Sequence, residues 1–523
     1  MKRTDRFDNC KPPCYHESVS RIWQRKYVLN RGENVMSGLP EIIPKPKEMY
    51  CGPEKPAVCI NGTVCVRSAD ERFWAECFVS QAEKVYGAKL SLDETEGAIR
   101  LCRDAALDAS EYRVMVTEDG AVLSYSAAEG LNYAFATLLQ LLCAENGELR
   151  LPVCELRDRP DSTYRALMVD VARKKHTIDE LLAYVDLCWL YKIRLFHIHF
   201  ADTNAYTLPS KLLPELPGAG KHCYTRPEID ALTAYARSRN IEIVPEIEMP
   251  GHCSRMIHTY PELFADTPED PEKLKERGAY PHNIICAGKP GVMDTLKALC
   301  AEVIDMFPNS RYLHIGGDEA AIGEWENCSV CRAYMKREGI RDVRGLYTDF
   351  MRRAIDAVLE LGKIPIVWEG FPKEGAEKIS RECIVIAWES YYHLAPDLLE
   401  EGFRIVNCSW EPLYTIPPGR DFLPAGRWYP KDIFDWDVYT WKNWNDMSPA
   451  HANPIRVAPT EQVLGGGLCA WENNFEGEIS GVIENLAALS ERTWNRTPSA
   501  SAEALIAGVE RLAEIAKKLL RRA

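Results

Sequence analysis

Hydrophobic and polar positions divide the chain into two textures. Between residues 37 and 158 the apolar runs are short, at 57–66, 98–102, 112–116 and 121–125, with turn residues such as Asp119-Gly120 between them. Short apolar runs bounded by turn residues read as strands. One longer stretch, 130–143, carries its apolar residues at helical spacing, so this part predicts a small α+β domain. After Asp158-Arg159-Pro160 the pattern changes. Strand-like runs at 166–171, 195–200, 241–247, 312–315, 364–368, 384–388, 403–407 and 464–470 alternate with amphipathic stretches such as 178–191, 226–238 and 343–361. Eight strand–helix repeats over roughly 330 residues predict a (β/α)8 TIM barrel, an α/β fold. An open doubly wound sheet is the runner-up.

The expected organisation is therefore a leader at 1–36, either disordered or an over-extended gene start, an accessory domain at 37–158 and a barrel at 159–500. A C-terminal helix at 501–523 would pack on the barrel.

In such a barrel the chemistry sits at the carboxyl ends of the strands. Those ends are rich in polar and aromatic residues: Asp170 and Arg173, His197, His199 and Asp202, Glu246, Glu248 and His252, His314, Asp318 and Glu319. Three further strands end in Trp368-Glu369, Trp388-Glu389 and Trp471-Glu472, and the seventh runs into Trp410 and Tyr414. Carboxylates framed by tryptophans suit a sugar, whose apolar faces pack on aromatic rings while its hydroxyls meet the acids. Asp318 and Glu319 are adjacent, and two carboxyl groups held close cannot both ionise easily, so one can serve as a general acid.

Composition narrows the partners. A formal net charge of -14 and a pI near 5.4 argue against a nucleic-acid or anionic-membrane surface. No run approaches the roughly 18 apolar residues of a membrane span, and the N-terminus lacks a signal-peptide core. The 19 cysteines are scattered through apolar segments, which suits reduced thiols and a cytoplasmic location.

Several ordered segments carry a resemblance. YLHIGGDEA is similar to the signature of glycoside hydrolase family 20, the β-N-acetylhexosaminidases, and YRALMVDVARKKHT, FHIHFAD, IVPEIEMPGH, IVWEG, IAWES and LCAWEN follow in the family's order. PEIIPKPK through EGLNYAFATLLQLL resembles the family's N-terminal accessory domain. The resemblance implies a retaining exo-β-N-acetylhexosaminidase that removes terminal β-linked GlcNAc or GalNAc from a glycan or glycoside. Its nucleophile would be the substrate's own acetamido carbonyl, passing through an oxazolinium intermediate.

The same resemblance implies the roles. Glu319 would be the general acid and Asp318 would orient the acetamido group, with Asp202, His252 and Glu248 supporting the acid. Arg165 would bind ring hydroxyls. Trp368, Trp388 and Trp471 would enclose the sugar, Tyr414 would bond the acetamido carbonyl, and Trp428 would lie at the rim. No cofactor is implied, and a homo-oligomer stays open.

Departures from the family's pattern lie around the hydroxyls. Thr203-Asn204-Ala205-Tyr206 stands where Asp-Gln-Gly-Trp is common, Tyr414 is followed by Thr415-Ile416, and a Trp-x-Glu pattern becomes Trp471-Glu472-Asn473. The carboxylate for the 4-hydroxyl is thus Glu472 displaced by one residue, or replaced by Asn473.

His197-x-His199 has alternate spacing on a strand and is not expected to bind metal. Cys328-Ser329-Val330-Cys331 has the spacing of a zinc knuckle, with Cys223, Cys253, Cys286, His222 or His282 as completions, but a lone pair is insufficient and no metal is expected. Two rival readings remain: a glycosidase using two protein carboxylates, with Glu248 or Glu369 as the second, and a catalytically silent carbohydrate-binding relative.

Overall fold

The computed structural model describes residues 40–51, 57–60, 62–145, 147–203, 205–218, 220–265, 283–498 and 501–520. The expected leader, Asn204 and His282 lie outside the described residues.

The first domain is organised by the hairpin at Asp119-Gly120. Tyr112–Thr117 and Gly120–Tyr125 pair antiparallel, with Thr117 opposite Gly120. Gly120 has φ 110°, and a Cβ there would stand 2.2 Å from the Ala98 carbonyl oxygen, so only glycine fits. The hairpin belongs to a seven-stranded mixed sheet. Helix Ala128–Leu141 lies on it and is buried at every residue from Gly130 onward, because its other side meets the barrel helix Ile178–Leu190.

The barrel strands are β1 (Tyr164–Asp170), β2 (Leu195–His199), β3 (Glu242–Glu246), β4 (Tyr312–His314), β5 (Ile364–Trp368), β6 (Ile384–Ala387), β7 (Arg404–Asn407) and β8 (Val463–Ala470). They pair in parallel in chain order. β8 returns to β1, from Tyr164 opposite Gly465 to Val169 opposite Ala470, which closes the ring and excludes the open sheet. A short strand, Tyr414–Thr415, joins β8 at its carboxyl end opposite Cys469 and Ala470. That pairing carries Tyr414 to the mouth.

Side chains alternate between the inside and outside of the ring. Ala166, Met168, Val244, Ile366, Trp368, Ile386, Val406 and Cys469 form the inner cluster, while Leu167, Val169, Leu313, Val367 and Val385 face the helices. Near the mouth the inner positions turn polar. Asp170 is opposite His199, His199 opposite Glu246, and Glu246 opposite His314, so four strands supply one polar layer.

Helix caps fix where the surrounding helices begin. Thr177 with Glu180 and Thr225 with Glu228 form reciprocal capping boxes, and Asn474 caps helix Phe475–Trp494. Helix Ala502–Leu520 buries Leu505, Val509, Leu512, Ala516 and Leu519 along one face. It packs against the barrel helix Ile178–Leu190 and ties down the accessory domain as well, where Arg511 donates to the carbonyls of Gln140 and Glu41, at 3.1 and 2.7 Å.

Candidate active site

Glu246 is the hub of the polar layer. Its fully buried carboxylate meets His197 Nε2 at 2.9 Å, His199 Nδ1 at 2.7 Å and His314 Nδ1 at 2.9 Å, and it accepts from Trp368 Nε1 at 2.5 Å. Four neighbours hold it as an anion, well below the usual carboxylate range despite burial. Its partner His314 is driven down to about 4 by burial.

Above this layer β4 runs into Gly316-Gly317-Asp318-Glu319. Both glycines have positive φ, and a Cβ on Gly316 would lie 1.8 Å from Glu248 Oε2. The turn therefore needs glycine to pass over Glu248. Glu319 also has positive φ, 43°, a conformation that costs a non-glycine residue roughly 1 kcal/mol or more. It faces the mouth: 58% of its side chain is exposed, against 13% of Asp318.

His252, on the loop after β3, bridges the acids to Asp202. Its Nε2 lies 3.4 Å from Glu319 Oε2 and 3.7 Å from Asp318 Oδ2, and its Nδ1 lies 3.6 Å from Asp202 Oδ2 and 3.2 Å from Thr203 Oγ1. Arg173 closes the other side of Asp202, with Nη2 2.7 Å from Oδ2, and its Nη1 donates to Asp170 at 3.0 Å.

Four aromatic rings stand around the acids. Trp368 meets Trp388 at 6.2 Å and Trp471 at 5.8 Å between centroids, and Tyr414 is 6.2 Å from both Trp388 and Trp471. Trp368 is the floor, since its N–H is spent on Glu246. Trp471 is flanked by His199 on one side and by the Arg173 guanidinium on the other.

This constellation can be set beside known proteins. The profile described as glycosyl hydrolase family 20, catalytic domain, matches residues 163–497, and the profile for domain 2 of the same family matches residues 39–159. The chain belongs to glycosyl hydrolase family 20. Among relatives, a β-hexosaminidase of Porphyromonas gingivalis is 29% identical over 66% of this chain and 47% of its own length. One from Vibrio furnissii is 30% identical over 59% of this chain and 53% of its own. The chain thus spans about half the length of these relatives. In fold it is similar to the exo-β-N-acetylglucosaminidase of Vibrio harveyi, with a TM-score of 0.77, 23% identity and coverage of 92% of this chain and 78% of that one. The β-N-acetylhexosaminidase of Bacteroides fragilis gives a TM-score of 0.75 at 21% identity, covering 90% and 94%.

The family 20 chain holds its acid pair in an unequal electrostatic setting. Burial pushes Asp318 up to about 6, against the pull of His252 and with the repulsion of Glu319. Contact with His252 lowers Glu319, outweighing its own burial. The proton the pair shares therefore rests mainly on Asp318 rather than Glu319. Burial opposes charge on His252, but Asp202, Glu319 and Asp318 raise it well above the usual histidine range. Glu248, buried and close to Asp318 and Glu246, is driven well above the carboxylate range and has no hydrogen-bond partner on either oxygen.

The structure corrects the arginine. Arg165 lies near the amino end of β1, between the inward-facing Tyr164 and Ala166, and so points outward. Its guanidinium donates to the carbonyls of Lys192 at 3.1 Å and Ser162 at 2.6 Å and to the Tyr133 hydroxyl, and it packs on Trp494. It is a buried tie between the domains and cannot reach a sugar at the mouth. Arg173, eight residues later and just past the carboxyl end of β1, occupies the mouth instead. Position along the strand, amino end against just past the carboxyl end, is the signal that separates the two.

Other expected site residues divide. Asp318, Glu319, Asp202, His252, Glu248, Trp368, Trp388, Tyr414 and Trp471 come together. Glu472 lies at the rim with φ 58°, its N–H on Asp170 Oδ2 and its carboxylate 3.7 Å from Arg420. Asn473 is turned instead into the start of helix Phe475–Trp494, where its Oδ1 accepts from Asn474 N–H at 3.2 Å. Trp428 is placed against that same outer helix, its carbonyl accepting from Asn485 at 2.8 Å, and its ring does not meet the aromatic set. Glu369 is fully buried and its carboxylate accepts from the N–H groups of Ser390, Tyr391, Tyr392 and His393, so it shapes the loop after β6 and is no candidate nucleophile. Glu389, half-buried beside that loop, is pushed up to about 7 mainly by burial, a strand-end carboxyl to which the sequence pattern assigns no role.

Proposed function

We propose that the chain is a retaining exo-β-N-acetylhexosaminidase, releasing terminal β-linked N-acetylglucosamine or N-acetylgalactosamine by substrate-assisted catalysis. The observation that carries this reading is Asp318 Oδ1, a buried carboxylate oxygen with no hydrogen-bond partner, next to a half-exposed acid and within electrostatic reach of Tyr414. A buried acceptor of that kind is costly unless a ligand satisfies it. The N–H of a 2-acetamido group does so, and it leaves the acetamido carbonyl free to face the anomeric carbon.

The steps follow from the geometry. Glu319 gives its proton to the glycosidic oxygen as the acetamido carbonyl oxygen bonds to the anomeric carbon and the aglycone leaves. Asp318, ionised and hydrogen-bonded to the acetamido nitrogen, stabilises the positive oxazolinium ring. Water then attacks the anomeric carbon, gives its proton to Glu319 and reopens the ring, so configuration is retained. Asp202 and Thr203 orient His252, which sets the proton affinity of Glu319. Trp368, Trp388 and Trp471 take the sugar faces and Tyr414 bonds the acetamido carbonyl, while Arg173 and Glu472 take ring hydroxyls.

Binding also puts the proton in the right place. An N–H donated to Asp318 favours its ionised form, and an aglycone that covers Glu319 favours the protonated form. Among the described residues no helix is long and apolar enough to cross a membrane. None of the described cysteines is joined in a disulfide, which supports a reducing, cytoplasmic setting.

Parallel hydrolysis of nitrophenyl β-GlcNAc, β-GalNAc and β-glucoside tests the reading. The acetamido sugars are expected to be preferred by at least three orders of magnitude in kcat/KM. Equal rates on the glucoside would favour the two-carboxylate rival, and no hydrolysis of any would favour a silent binder.

A further inference from the structure

The Cys328-x-x-Cys331 pair gains a third thiol from a distant part of the chain. Cys286 Sγ lies 3.6 Å from Cys328 Sγ and 3.6 Å from Cys331 Sγ, and all three residues are buried. Their sulfurs form one group within 4.8 Å of each other. We propose that Cys286, Cys328 and Cys331 bind one zinc ion, which staples the loop after β3 to the loop after β4.

The spacing suits that ion. Thiolates bound at about 2.3 Å on a tetrahedral centre stand roughly 3.8 Å apart, close to what these sulfurs already show. A disulfide would join two of them and strand the third in a buried, apolar place. The chain also supplies the charge balance a metal thiolate needs. Cys328 is the N-cap of helix Ser329–Glu338, and its Sγ accepts from the N–H of Cys331 at 3.1 Å. A helix amino end favours the ionised sulfur. Three thiolates are soft ligands, which select zinc over calcium or magnesium. A cavity of ≈ 20 Å³, lined in part by Cys286, Cys328, Ile284 and Trp325, adjoins the thiols and leaves room for a fourth ligand. A water molecule can complete the shell there.

The position gives the staple a purpose. The segment leading to Cys286 braces the turn that carries His252: Ile285 N–H donates to Pro250 at 2.9 Å and Cys253 N–H to Asn283 at 3.2 Å. From the other loop, Trp325 Nε1 donates to the Ile285 carbonyl at 2.9 Å. Cys328 follows Glu319 by nine residues on that loop. An ion joining Cys286 to Cys328 and Cys331 therefore fixes His252 relative to Glu319 from outside the site. It holds the loops and touches no substrate.

The test is the metal content of the full chain purified reduced, without chelators, in zinc-supplemented medium. About one zinc per chain is expected, falling to near zero in Cys286→Ser and Cys331→Ser. Cobalt put in place of zinc should give a thiolate charge-transfer band, lost in both variants. Should the variants misfold, wild type stripped by a chelator serves instead: its Tm should fall and return with zinc. The activity readout rests on the proposed hydrolase reading, and there kcat should drop several-fold on stripping while KM holds. Metal content and Tm are read without substrate, so they fail or succeed independently of that reading. Fully reduced protein that holds no zinc and takes up no cobalt would overturn the proposal, as would iron in the same place.

Discussion

Asp318 and Glu319 are consecutive in the chain, yet burial raises the carboxyl of the first to about 6 while contact with His252 lowers that of the second. The split goes with their exposure: Glu319, in the left-handed region at φ 43°, stands out at the mouth while Asp318 is largely buried. In the free protein their shared proton thus sits on the wrong acid for catalysis.

That ordering predicts the pH profile. The pair loses its shared proton at about 6, the value of Asp318, and Glu319 is held ionised to lower pH by His252, while kcat/KM reports the free enzyme. Hydrolysis should show a plateau whose alkaline limb begins near pH 6, where that proton is lost, and an acid limb below the ordinary glutamate range. The alkaline limb of kcat should lie higher, because bound substrate moves the proton to Glu319. Coincident limbs well above neutrality in both profiles would refute the ordering.

Asp318→Asn should exchange function for stability. A carboxyl raised from 3.8 to about 6 binds its proton more tightly folded than unfolded, so folding stability falls as pH rises through that window. At pH 7 the neutral amide should stabilise the fold by about 1–3 kcal/mol, read as a higher Tm, while hydrolysis of acetamido substrates drops by at least about a hundredfold. A lower Tm would contradict the burial of an unsatisfied charge.

The two arginines should part cleanly. Arg173→Gln should lower kcat/KM on a β-N-acetylhexosaminide by roughly tenfold to a hundredfold with a modest change in Tm, since it strips a donor from the mouth. Arg165→Gln should leave kcat/KM within about twofold and lower Tm, because it leaves buried carbonyls unpaired between the domains. The reverse pattern would restore Arg165 to the site.

Glu369→Gln should act through folding. Its carboxylate accepts four backbone N–H groups of the loop after β6, and an amide loses about 2–4 kcal/mol of that. The expected result is a lower Tm with hydrolysis largely retained. Loss of hydrolysis rescued by azide would mark it as a nucleophile.

The barrel was legible because each strand is a short, largely apolar run, as strands buried on both faces tend to be. The acid pair was legible because Gly-Gly-Asp-Glu ends such a run. Arg165 misled for a local reason: it lies at the amino end of β1 with its side chain on the outer face, whereas Arg173 lies just past the carboxyl end, where the mouth is. Cys286 stands 42 positions before Cys328 and was one of five candidate partners for the Cys328/Cys331 pair; the fold brings it to them. Asn473 and Glu369 were drawn away by backbone N–H groups, a competition that side-chain motifs do not display.

The central claim is that the substrate's acetamido oxygen is the nucleophile, and fluorination of that group tests it most directly. With nitrophenyl β-glucosaminides bearing acetyl, monofluoroacetyl, difluoroacetyl and trifluoroacetyl groups, kcat/KM should fall steeply along the series as the carbonyl oxygen loses nucleophilicity. A flat series would contradict substrate assistance and return the reaction to a protein carboxylate.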